Sequence, residues 1–303
     1  MDSLLLGSTA VAAVGLGSYF AGKESNDTPR EVLSASRIKS YPFLAGASLI
    51  GIQVMLEYLG PKRVNYLFMY YFGLAGTNSI WFLLRAFFKM KSRKLFYYPS
   101  SKSILTEFVL PNQRVPFFLH DIPLYLIALI VNVAYYQTRN NIANNIIAFS
   151  IAFFAILSIR IEKFTSAAPL LWSLLIYDVF FVYQTDVMTS VAMGLEGPVK
   201  LQVNLRGRGN SVLGLGDIVI PGLFIAVCSR FDTFLNKVTG RRSYYWLTGL
   251  IFYSIAMGVT DLVCYITKKG QPALLFITPL VTVPIVLMAL IRREHLAFAS
   301  YSG

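Results

Sequence analysis

The stretch Leu213-Gly214-Leu215-Gly216-Asp217-Ile218-Val219-Ile220, followed by Pro221, puts an acidic side chain into a run long and apolar enough to cross a bilayer. A second such residue lies upstream, in Leu174-Leu175-Ile176-Tyr177-Asp178-Val179-Phe180-Phe181-Val182. A carboxyl at bilayer depth costs roughly 2.5 to 3.5 kcal/mol on insertion scales, so it is expected to face a polar cavity and to work there. Asp178 and Asp217 are therefore a candidate catalytic pair.

The rest of the chain supports a membrane setting. Of 303 residues, 55% are apolar and only 14% charged, and mean hydropathy is positive, which excludes an ordinary soluble enzyme. The charge of +12 would suit nucleic acid, but the 27 Lys and Arg residues fall in the short segments between apolar runs, where they set topology. Windows of membrane-spanning length predict nine helices, at 4–22, 41–60, 64–84, 122–138, 142–159, 165–190, 211–229, 244–266 and 271–291. Only Thr138-Arg139-Asn140-Asn141 divides the fourth from the fifth. Merging those two would change the topology.

With nine spans, 19 basic residues fall on one side of the membrane and eight on the other. The excess predicts a cytosolic C-terminus and an N-terminus outside. Met1-Asp2-Ser3 lacks a basic leader region while Lys23 follows the first apolar run, so a retained signal anchor is expected rather than a cleaved signal. The sequon Asn26-Asp27-Thr28 then faces the cytosol and stays bare. Cys228 and Cys264, both in apolar spans, read as small buried hydrophobes rather than a disulfide or a metal site.

Between the aspartate-bearing spans, Val199, Leu201, Val203 and Leu205 alternate with polar residues within Glu196–Arg206, the period of a half-buried strand. A strand edge there would suit pairing with an extended peptide, and an amphipathic segment on the membrane surface fits the same pattern. The basic run Lys89-Met90-Lys91-Ser92-Arg93-Lys94 opens a polar interval to His120 and is suited to anionic headgroups.

Two facing carboxyl groups that share a proton can hydrolyse a peptide with water alone. The ionised partner takes the proton of the water, and the protonated one polarises the scissile carbonyl. Like charges at close range force the pair to titrate as a unit. No cofactor or metal is called for. Gly214 and Gly216 remove bulk beside Asp217, and Pro221 deprives its span of one hydrogen bond. Tyr177 either orients Asp178 or is an interior tyrosine satisfied elsewhere. Pro272, in Gln271-Pro272-Ala273-Leu274, is either a plain helix start or a rigid corner beside the pair.

Tyr177-Asp178, Gly214-Leu215-Gly216-Asp217 and Pro272-Ala273-Leu274, in that order on the sixth, seventh and ninth spans, resemble the presenilin and signal peptide peptidase superfamily of intramembrane aspartyl proteases. The fuller stretches Tyr177–Phe180, Leu213–Gly222 and Gln271–Leu275 look most like its signal peptide peptidase branch, and likeness is clearest from about Pro169 to Leu290. The resemblance implies an all-α, nine-helix fold, with residues 1–163 as scaffold and 164–303 as catalytic core. It also implies Asp178 and Asp217 as the catalytic pair, with Tyr177, Gly214, Leu215, Gly216, Gln271, Pro272, Ala273 and Leu274 lining or supporting the site. Substrates would be remnant signal peptides and type II or tail-anchored segments in the endoplasmic reticulum membrane. The partners are then substrate helices and the bilayer, with homo-oligomers or quality-control proteins left open. The tail lacks the dilysine of many relatives, which leaves the means of retention open.

Asp186 is expected in a solvated role near an interface. Asp261 sits deeper, either on a water path or paired with Lys268 or Lys269. The two histidines, His120 and His295, are too far apart to suggest a zinc site or a histidine-activated serine. A proton-coupled transporter using the aspartates as a relay is the competing function, and a silent chaperone of membrane segments a third.

Overall fold

The computed structural model describes residues 2–23, 31–33, 35–91, 121–161, 163–185, 187, 191, 194–195, 197–205, 209–267 and 271–302. In chain order the elements are α1 (Asp2–Lys23), β1 (Glu31–Leu33), α2 (Ala35–Leu59), α3 (Pro61–Lys91), α4 (Asp121–Thr138), α5 (Asn141–Ser158), β2 (Ile159–Ile161), α6 (Phe164–Tyr183), β3 (Lys200–Leu205), β4 (Gly209–Gly214), α7 (Gly216–Thr239), α8 (Tyr245–Thr267), α9 (Leu274–Ile291) and α10 (His295–Ser300). The fold is a helical bundle with two small sheets. β1 and β2 pair in parallel, Val32 opposite Arg160, and β3 and β4 form an antiparallel hairpin, Gln202 opposite Val212.

Eight helices among the described residues are long and apolar enough to cross a membrane. The predicted fourth span is helix α4, which falls outside that group. Polar side chains join it to α3, alongside an apolar cluster that includes Ile80, Trp81, Leu124 and Ala128. Asn132 Nδ2 donates to the Gly73 carbonyl at 2.8 Å and to Thr77 Oγ1 at 2.9 Å, and the Tyr136 hydroxyl donates to the Met69 carbonyl at 2.6 Å. Buried Asp121 lies 3.6 Å from Arg85 of α3. Without a hydrophobic drive between helices in lipid, such bonds supply cohesion that apolar surface cannot. α4 and α5 are two helices and not one, because Arg139 adopts a left-handed φ of 52° and Asn140 caps α5 by accepting from the Ile142 amide at 3.0 Å.

α7 is the central element, buried on all sides from Pro221 to Phe231. α1 and α5 lie along it, and the crossings are made by glycine. A Cβ at Gly22 would collide with Ser229, and one at Gly222 with Ile156. At the far end of α7, Gly240 takes a left-handed φ of 67° and stops the helix, with its amide bonded to the Asn236 carbonyl. There Phe298 of α10 stacks on Tyr245 at 5.1 Å and meets Phe231 at 4.6 Å, closing that end of the bundle.

Several predicted boundaries shift by more than a helical turn, α2 starting at Ala35 and α3 running to Lys91, and two of the shifts fall at the aspartate-bearing helices. Hydropathy predicts the seventh span at 211–229, but residues 211–214 belong to β4, and the helix runs instead from Gly216 to Thr239. The sixth is predicted at 165–190, whereas its helix ends at Tyr183. In both cases a hydropathy window merged apolar residues that differ in backbone conformation, a distinction that hydropathy does not carry. Of the two readings of Glu196–Arg206, the strand is correct over Lys200–Leu205. The sequon at Asn26, the basic run from Ser92 onward, Asp186, His120, Lys268 and Lys269 lie outside the described residues.

Candidate functional site

Asp178 belongs to the last turns of α6, and its side chain is buried. Its Oδ2 accepts a hydrogen bond from the Leu274 amide at 3.3 Å. That amide is available because Leu274 is the first residue of α9, where helix amides have no partner within the helix. The preceding turn is shaped by Pro272 and Ala273, both buried. The Pro272 carbonyl accepts from Leu275 at 3.1 Å, and that of Ala273 from Phe276 at 3.2 Å and Ile277 at 3.1 Å. Pro272 thus stands just ahead of the helix and not within its first turn.

Asp217 is in the first turn of α7, directly after the strand–turn Gly214-Leu215-Gly216. α7 packs against α6, the helix that carries Asp178. Gly214 flanks Asp217 so tightly that an added Cβ would come 3.3 Å from its Oδ2. Gly216 differs. Nothing among the described residues lies within 4 Å of where its Cβ would be, so its lack of a side chain leaves open space beside the carboxyl rather than admitting another helix. Leu215 anchors the turn, with its amide on the Val199 carbonyl at 3.1 Å and its carbonyl receiving Ile218 at 3.1 Å and Val219 at 2.9 Å.

Tyr177 is half-buried against α2, its ring 4.6 Å from that of Phe181 and both beside Gly46. It borders Asp178 from the α2 side. The Gln271 side chain points away from the carboxyls, accepting from the Tyr183 hydroxyl and donating to Thr267 Oγ1 at 3.2 Å. It joins the end of α6 to the turn before α9. Asp261 stands apart from the pair, on α8 against Gly7 of α1, whose Cβ would lie 3.6 Å from its Oδ2. Cys228 is buried and Cys264 half-buried, both as free thiols.

Three contributors have no role assigned to them by the sequence. Tyr253 of α8 is fully buried and donates its hydroxyl to the Asp217 main-chain carbonyl at 3.2 Å. Asn145 of α5 grips β3 with both ends of its amide. Its Oδ1 accepts from the Gln202 amide at 2.8 Å and its Nδ2 donates to the Gln202 carbonyl at 2.7 Å. Asn144 donates to the Lys200 carbonyl at 2.8 Å. The Asn pair near the start of an otherwise apolar helix does not say which strand it meets, although the strand itself is legible in the alternation within Glu196–Arg206. A cavity of about 930 Å³ opens alongside, lined by Leu5, Leu83, Asn145, Phe149 and Gln202 among others, away from the aspartates.

The arrangement is two carboxyls on two packed helices, one bonded to the Leu274 amide and the other directly after the strand and turn that end β4, inside a membrane-spanning bundle. A family model described as signal peptide peptidase matches residues 24–303. A probable intramembrane protease of Schizosaccharomyces pombe is 29% identical over 300 residues, covering 97% of this chain and 92% of that protein. Human signal peptide peptidase is 29% identical over 295 residues, 92% of this chain and 76% of the relative. Intramembrane protease 2 of Caenorhabditis elegans is 34% identical over 205 residues, 62% and 44% respectively. Together with the bundle, these likenesses define the class as a multi-pass intramembrane protease. Within that class, the chain belongs to the signal peptide peptidase family.

Proposed function

We propose that the chain is an intramembrane aspartyl endopeptidase whose catalytic groups are Asp178 and Asp217. The observation that carries this reading is the placing of two intramembrane carboxyls on the packed helices α6 and α7, one held by the Leu274 amide and the other set at the end of β4. A water between them loses a proton to the ionised carboxyl while its oxygen attacks the scissile carbonyl. The protonated carboxyl meanwhile donates to the carbonyl oxygen. Collapse of the tetrahedral species breaks the C–N bond, and the proton gained from the water passes to the leaving nitrogen. Tyr177, Gly214, Leu215, Gly216, Gln271, Pro272, Ala273 and Leu274 line or support this site.

A helical peptide bond is shielded by its own hydrogen bonds, so the substrate must unwind before attack. The hairpin offers the unwound segment a partner. β3 is flanked on one side by β4 and on the other by Asn145, whereas β4 pairs with β3 and leads into Asp217. Strand addition along the second edge of β4, where Val212 is exposed, would bring an extended backbone to the carboxyls. The substrates are remnant signal peptides and type II or tail-anchored segments in the endoplasmic reticulum membrane. The same reading makes α4 a ninth span, sets the N-terminus in the lumen, and treats 164–303 as the catalytic core on a 1–163 scaffold.

The test is cleavage of a synthetic signal-peptide-like helix by purified protein in lipid nanodiscs, with Asp178→Ala and Asp217→Ala alongside. Cleavage by wild type and loss in both variants is expected. Persistence in both would exclude the carboxyl pair, and substrate flux without peptide scission would favour a transporter.

A further inference from the structure

Pro221 lies four residues after Asp217. In a regular α-helix the amide of residue 221 would donate to the carbonyl of residue 217, and a proline has no such hydrogen. Its ring also crowds the carbonyl four residues before it and pushes that oxygen outward. The oxygen affected belongs to Asp217 itself. A main-chain carbonyl in this setting needs a donor from another element. The fully buried hydroxyl of Tyr253, on α8, donates to it at 3.2 Å.

We propose that Tyr253 is a positioning residue for Asp217, its hydroxyl standing in for the amide hydrogen that Pro221 removes and so fixing the opened first turn of α7. This rests on the reading of Asp217 as a catalytic group. Proline in place of an ordinary residue frees the turn from helical geometry, and the tyrosine then holds it in one alternative position. The remaining supports of the turn, the Leu215 amide on Val199 and the Leu215 carbonyl receiving Ile218 and Val219, act before the aspartate, whereas the bond from Tyr253 acts on its own carbonyl. The two residues are therefore a matched set, 32 positions apart in the chain. Tyrosine 253 without proline 221 would be redundant, and proline without tyrosine would leave an oxygen unsatisfied.

That pairing makes a rescue experiment decisive. Tyr253→Phe removes only the hydroxyl, and Pro221→Val restores a backbone N–H with similar side-chain volume. Pro221→Ala serves as a second restoring variant should valine pack poorly. Each single variant and the double variants are compared in nanodiscs for kcat and KM on the synthetic helix and for thermal unfolding. Tyr253→Phe alone is expected to lower kcat about ten-fold, the scale of one lost hydrogen bond to a buried group, with KM unchanged. Adding either Pro221 substitution recovers most of the loss. Unchanged kcat in Tyr253→Phe, or double variants whose losses merely multiply, would overturn the proposal. Should wild-type protein not cleave at all, the catalytic reading fails, but the unfolding cycle still decides the contact. Non-additive midpoints support the exchange of hydroxyl for amide, and additive midpoints refute it.

Discussion

Replacing Asn145 by alanine isolates what holds the β3–β4 hairpin against the bundle. The side-chain amide makes two hydrogen bonds to one residue, at 2.8 Å to the Gln202 amide and 2.7 Å to its carbonyl, in the pattern a neighbouring strand would use. Each is worth about 1 kcal/mol net in a partly exposed setting, so alanine should weaken docking by about 2 kcal/mol. That is roughly a thirty-fold increase in the population of the undocked hairpin. Asn145→Asp keeps the acceptor and loses the donor, so it should fall between the two. Hydrogen exchange of peptides covering residues 200–214, followed by mass spectrometry in nanodiscs, reads this opening directly. Peptides from α8, which is remote from Asn145, supply the internal control. Cleavage should fall in the same order, because β4 runs into the turn that carries Asp217. Unchanged exchange in Asn145→Ala, or an aspartate variant indistinguishable from alanine, would show that hairpin pairing alone fixes the strand and would refute the reasoning.

Gly214→Ala sets a methyl group 3.3 Å from Asp217 Oδ2, closer than side-chain carbons ordinarily pack, so the carboxyl must move by a few tenths of an ångström. Cleavage should fall roughly ten-fold while the unfolding midpoint is retained, since misplacing a reacting group costs rate more than stability; equal cleavage would mean that Asp217 has slack. Gly22→Leu should have the opposite signature of lost stability, about 1 to 3 kcal/mol by overpacking the α1–α7 crossing at Ser229, measured by thermal unfolding. An unshifted midpoint would show that the two helices can part. Phe298→Ala removes the ring enclosed by Phe164, Tyr245 and Phe231, and about 3 to 5 kcal/mol is expected to go with it. Proteolytic release of α10 at lower temperature is the check, and wild-type resistance would contradict it.

What could be read from the sequence follows the physics of each signal. Long apolar runs locate helices because lipid tolerates little else, and an acidic residue inside such a run announces itself by its cost. Hence Asp178, Asp217 and the order of the Tyr-Asp, Gly-Leu-Gly-Asp and Pro-Ala-Leu elements were legible. The start of α7 was not, since Ser211-Val212-Leu213 is apolar enough to extend a hydropathy window whether its backbone is strand or helix. α4 shows the converse. Asn132 and Asp121 lower its hydropathy, yet these are the groups that hold it to α3.

Partnership was the least legible property, and Asn145 and Tyr253 show why. Each side chain meets main-chain atoms, at Gln202 and Asp217, and a main-chain atom leaves no residue-type trace at its own position. Side-chain pairs constrain two letters of a sequence, whereas a side chain on a carbonyl constrains one. The exception is a proline. By deleting an amide at position 221 it marks, four residues earlier, a carbonyl that must be met from elsewhere. In a bilayer core, where water is scarce as a substitute, that makes a proline after an intramembrane aspartate a statement about a third residue. Here the donor comes from α8, so the geometry of the aspartate depends on a helix that contributes no carboxyl to the pair.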